Sequence, residues 1–134
     1  MNTDSSVLEL EPGITSNSKL MKKFESFLIK LEGDDEINDK DLMKLVNLVI
    51  LLKHYGAENP TISELCNAMS NNINQCQGHA DLLKHIIYYI RKALLLIKFM
   101  LETNIDVQSN YLLDDFSIVH NEVQEIINKR SSIN

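Results

Sequence analysis

From Ser18 onward, apolar residues recur at steps of three and four, interrupted by short polar breaks, and this rhythm predicts amphipathic helices rather than strands. Ser18 is a suitable N-cap, and Leu20, Phe24, Phe27, Leu28 and Leu31 form one stripe that ends near Gly33. After the acidic run Gly33 to Asp41, the set Leu42, Leu45, Val46, Val49, Ile50 and Leu52 predicts a second helix, closed by Gly56 as a C′ residue. Asn59-Pro60 breaks the chain. Thr61-Ile-Ser-Glu64 then has the spacing of a capping box, which predicts a short helix through about Ser70. The amide-rich stretch Asn71 to Gly78 reads as a loop.

Residues His79 to Thr103 read as one long helix, apolar around most of its circumference except for a narrow polar strip of Lys84, Arg91, Lys98 and Glu102. A turn at Asn104 to Gln108 and a cap at Ser109 precede a last stripe of Leu112, Phe116, Val119, Val123 and Ile126. The expected architecture is all-α: a compact bundle of four long helices plus one short helix. A flexible arm is expected over residues 1–17, a single bundle domain over 18–130 and a frayed tail over 131–134.

Composition agrees with this picture. Two Pro and four Gly among 134 residues are too few for a turn-rich β sandwich. The apolar segment Ile86 to Leu101 contains Arg91, Lys92 and Lys98, so its unbroken apolar runs reach only five residues. A membrane span needs roughly 20. Two cysteines do not make a disulfide framework, and the N-terminus lacks the order of a secretory signal, so a reducing compartment is expected, the cytoplasm or the nucleus.

The net charge is −6, unevenly spread: residues 1–40 carry nine acids against five bases, and residues 79–104 carry two against four. An acidic chain is a poor binder of phosphate backbones. The helix-turn-helix reading of residues 61–90, as a transcription or replication regulator, meets a further objection. Its would-be recognition segment, Ser70 to Asp81, has no Lys or Arg to donate to bases or phosphates.

Cys66, Cys76, His79 and His85 are the residue types that zinc prefers, but only Cys76 and His79 are as close as structural sites usually require. Their bland reading is two thiols and two histidines in ordinary helical and loop positions. The acidic connector offers oxygens from Asp34, Asp35, Glu36, Asn38, Asp39 and Asp41. Glu36-Ile37-Asn38, then Asp41, Leu42, Leu45, Val46 and Val49, resembles the second half of an EF-hand loop and its exit helix. Tyr55-Gly-Ala-Glu-Asn-Pro-Thr61 similarly resembles the linker between paired hands. The resemblance implies calcium, yet it puts Lys30 at the first ligand position and Asp35 where the loop needs glycine.

No nucleophile and base pair, and no phosphate-cradling glycine loop, has a supporting motif, so neither an enzyme nor a cofactor is expected. The expectation is a non-catalytic adaptor or regulatory subunit that buries an apolar helix face against a protein partner or in a homodimer. Ile87, Tyr88, Leu94, Leu95 and Phe99 are the candidate anchors. Lys84, Arg91 and Lys98 form a basic strip able to meet an acidic partner peptide or a carboxylate from the chain's own acidic connector.

Overall fold

The structure is a computed structural model that describes the backbone of residues 14–133 and the side chains of 18–132. Residues 1–13 of the arm expected over 1–17, and Asn134 of the tail, lie outside the described residues, while residues 14–17 belong to the first helix. The protein is all-α. Its helices are α1 (Ile14–Gly33), α2 (Asp39–Tyr55), α3 (Pro60–Gln75), α4 (Ile87–Thr103) and α5 (Asn110–Ile133), with a 3-10 segment at Ala80–His85. They form a ring in which α1 contacts α2 and α4, α2 contacts α3, and α5 closes the circle between α3 and α4. Phe24, Leu45, Leu52, Leu65, Ile90 and Ile97 fill its centre, all with no exposed surface. Each such side chain contributes about 1.5–3 kcal/mol.

Local chemistry sets the helix ends. Asn38 caps α2 reciprocally: its side chain accepts from the Asp41 N–H at 3.0 Å, while the Asp41 carboxylate accepts from the Asn38 N–H at 3.1 Å. That arrangement satisfies two otherwise orphaned donors. The cap of α3 falls earlier than the Thr61 to Glu64 spacing suggests. Asn59 accepts from the Ile62 N–H at 3.1 Å and Pro60 starts the helix, where its missing N–H costs nothing. Thr61 is buried inside the first turn.

Several boundaries differ from the expected ones. Helix α1 begins at Ile14, ahead of the Ser18 cap, and α5 continues through the expected frayed residues 131–133. The third helix is not short. It runs 16 residues, to Gln75, and absorbs most of the amide-rich stretch read as a loop, because Asn72 and Gln75 find partners on α5. The expected long helix from His79 is divided. Residues 80–85 are 3-10, and α4 begins only at Ile87, after an Ile86 that gives no side-chain cap. Gly56 does not adopt a positive φ. Its role is close approach, since a Cβ there would lie 2.4 Å from Ile62 Cγ2. Ser109 caps α5 with its carbonyl, which accepts from Leu112 and Leu113, and not with its hydroxyl.

Candidate interaction surface

Helix α4 has a buried face and a bare one. Ile87, Ile90, Ala93, Leu94, Ile97 and Met100 point into the core. Tyr88, Leu95 and Phe99, seven and four residues apart, fall on one outer stripe and are 59%, 59% and 45% exposed. The five expected anchors thus divide. Ile87 and Leu94 are core residues, because they face α4's neighbours, and only Tyr88, Leu95 and Phe99 are free to meet another molecule.

Beside this stripe runs a groove between α1 and α4, floored by Leu28 and Leu94 and walled by Ile29, Leu95, Glu25 and Arg91. A second depression, sharing Glu25, continues it past Met21, Lys22, Lys98 and Leu101. Ile29 was not foreseen as part of a site. It is 65% exposed, and its signal was present in the sequence as an apolar residue lying off the Leu20, Phe24, Phe27 and Leu31 stripe.

The basic strip is largely engaged within the chain. The Arg91 guanidinium donates to the Glu32 carboxylate, and Lys98 Nζ lies 3.9 Å from Glu25 Oε2. Both acids belong to α1 and not to the acidic connector. Such half-exposed pairs stabilise little, but they neutralise the α1 flank of the bare stripe. Lys84 stands apart on the 3-10 segment, exposed. On the other flank, Lys92 Nζ lies over the Tyr88 ring, 5.1 Å from its centroid. Tyr88 in turn meets Tyr89 edge to face, and Tyr89 leans on Phe116 in the core.

The other candidates are dispersed. Cys66 and Cys76 are buried free thiols on and just beyond α3, and burial pushes them up to about 12 and about 11. Lys53 opposes the shift at Cys66, and Asp81 adds to it at Cys76. His79 Nδ1 lies 3.3 Å from the Arg130 guanidinium, which also grips Asp81 through contacts of 3.2 and 2.7 Å. That hydrogen bond, first among its causes, holds the Asp81 carboxyl below its usual range. His85 is exposed on the 3-10 segment. Among the described residues, no group of three or more His, Cys, Asp or Glu side chains is placed to hold a metal ion.

In the acidic connector, Asn38 and Asp41 are used in capping, Asp34 meets Lys30 at 3.4 Å, and Asp39 Oδ1 accepts from the Gly78 N–H at 3.2 Å. The would-be recognition segment, Ser70 to Asp81, is the end of α3, a turn and the start of the 3-10 segment. Asn72, Ile73, Cys76 and Ala80 within it are buried. No helix among the described residues is long and apolar enough to cross a membrane. No family model, curated protein or solved structure matches the chain.

Proposed function

We propose that the protein is a non-catalytic interaction module that docks an apolar surface of another protein chain on the outer face of α4. One observation carries this reading: Tyr88, Leu95 and Phe99 lie bare on a single stripe, next to the apolar groove bounded by Ile29. Exposed apolar residues are ordinary when scattered, but contiguous patches rimmed by charge usually mark interfaces. The rim here consists of the half-exposed pairs Arg91 with Glu32 and Lys98 with Glu25. A helix laid along α4 would bury the stripe while its own polar residues reach the rim.

The test is site-specific photo-crosslinking in cells. A photoreactive residue at Leu95 should yield a discrete adduct, whereas the same residue at the exposed Glu64, across the ring on α3, should yield none. Equal labelling at both positions, or none at Leu95, would remove the reading.

A further inference from the structure

We infer, resting on that reading, that the chain docked on α4 is a basic amphipathic helix, which lays its apolar face across α4 and α5 and sets lysines or arginines against the carboxylates of α5. The two flanks of the α4 stripe differ in a way that points to this partner. On the α1 flank, Glu32 is met by Arg91 and Glu25 by Lys98. On the α5 flank the acids have no such cations. Helix α5 turns Leu113, Phe116, Ser117, His120 and Gln124 towards α3 and lies between α3 and α4, so its opposite edge turns towards α4. That edge and the outer surface beside it carry Tyr111, Asp114, Asp115, Ile118, Glu122 and Glu125, one stripe at steps of three and four. Tyr111 and Ile118 are 60% and 57% exposed. Tyr89 of α4 leans on Phe116, and Leu96, seven residues on, shares its edge; both are half-buried, so apolar surface continues from one helix to the other.

The charges of the α5 stripe are unmatched. Among the described residues, no ion pair joins Asp114, Asp115, Glu122 or Glu125, nor Asp106, which is exposed in the connector between the two helices. Glu122 and Glu125 are three apart, a spacing at which like charges on a helix repel. The cations of this side are Lys84 on the 3-10 segment, Lys92 over the Tyr88 ring, and Lys129 beyond Glu125. All three lie towards the 3-10 end, to which the Arg130 contact with Asp81 ties the end of α5. The acid excess is therefore greatest at the connector end, where Asp106, Asp114 and Asp115 accompany Tyr111. A helix with an apolar face and basic edges matches both properties of this surface, burying the aromatic and aliphatic side chains while its cations meet the carboxylates. The same carboxylates disfavour nucleic acid and anionic lipid as occupants.

The test measures, by fluorescence anisotropy, the binding of two labelled amphipathic peptides to the purified full chain. One is built of leucine and lysine and the other of leucine and glutamate, each about five helical turns long. The lysine peptide should bind, more weakly as salt rises, and the glutamate peptide should not. Asp114→Lys/Glu122→Lys should weaken the lysine peptide about tenfold. Glu36→Lys/Glu64→Lys makes the same change in net charge at exposed residues of other elements and should leave binding nearly unchanged. Ile118→Ser should weaken binding several-fold with an unchanged far-ultraviolet spectrum, because that side chain lies outside the core. Equal binding of the two peptides, equal effects of the two charge reversals, or indifference to Ile118→Ser would overturn the inference. Any of these results beside a discrete adduct at Leu95 in cells would overturn the basic partner alone and leave the interaction module standing. Absence of any adduct at Leu95 would remove both.

Discussion

Two joints in the ring, α3 with α5 and α1 with α4, handle polarity in opposite ways. The first is built from an amide-rich sequence and is bridged by hydrogen bonds, beside a depression lined by Asn71, Gln75, Ser117 and His120. Asn72, only 2% exposed, donates to the carbonyls of Ala68 and Phe116 at 3.0 and 3.3 Å, and Gln75 donates to the carbonyl of His120 at 2.8 Å. The second is floored by leucines and stands open, with ion pairs only at its rim. Buried amides and bare aliphatics are the reverse of what composition alone suggests. The difference teaches that an amide can be held in a joint where carbonyls across it accept from its NH2 group, even though the Asn72 and Gln75 side-chain oxygens find no donor, whereas a bare apolar stripe is stable only until something covers it.

The largest difference should appear between an aromatic of the α3–α5 joint and one of the bare stripe beside the open joint. Phe116→Ala, at a side chain 1% exposed, should cost about 3–5 kcal/mol in urea denaturation, and Phe99→Ala should cost about 1 kcal/mol or less in the monomer. Equal losses would mean that the outer stripe of α4 is core after all.

A second difference is chemical. Below pH 9 the thiols keep their protons in both the folded and the unfolded chain, so the folded state holds its full stability. Above that, the unfolded chain ionises first, because burial holds the folded thiols up to about 12 and about 11. Stability should then fall by about 1.4 kcal/mol per pH unit for each thiol until the folded groups ionise too. Replacing both cysteines with alanine should flatten this part of the pH profile, measured as the urea midpoint from pH 8 to pH 11. An unchanged slope would place the alkaline loss elsewhere.

The smallest effects concern polar contacts. Asn72→Ala should cost about 1–2 kcal/mol, independent of salt, by removing donors to the buried Phe116 carbonyl and the part-buried Ala68 carbonyl. Glu25→Gln and Glu32→Gln at the open joint should each cost about 0.5 kcal/mol and less in high salt. A salt-sensitive Asn72→Ala, or a costly Glu32→Gln, would reverse the assignment of the two joints.

The stripes of α1, α2 and α5 were legible in the sequence because apolar residues alone set them. The end of α3 was not. Asn71 to Gly78 lacks the residues that favour helix strongly, and what keeps its first part helical is a set of carbonyls on α5, 44 and 45 residues away. A fainter local signal was available, since Ile62, Leu65, Met69, Ile73 and Cys76 continue one three-and-four spacing through the amides. The division of the fourth helix was hidden for a different reason. Leu82 and Leu83 in the 3-10 segment, and Ile86 just after it, are buried as they would be in an α-helix, so apolar spacing does not separate the two. For the candidate surface, the bareness of Tyr88, Leu95 and Phe99 depends on which helices flank α4, and that is a property of the ring and not of the stripe.

One atom ties the end of α4 to the elements around it. The Met100 sulfur accepts from the Val107 N–H at 3.4 Å and lies 3.8 Å from Asn59 Nδ2, so the connector after α4 and the cap of α3 converge on a thioether. Thioethers oxidise, and the sulfoxide is a polar, chiral group that this junction would have to accommodate. Met43 is 61% exposed and meets an oxidant directly, whereas Met100, at 1%, meets one only when the junction opens. In a stored sample, the ratio of sulfoxide at Met100 to sulfoxide at Met43 therefore becomes a clock for how often this corner of the ring comes apart.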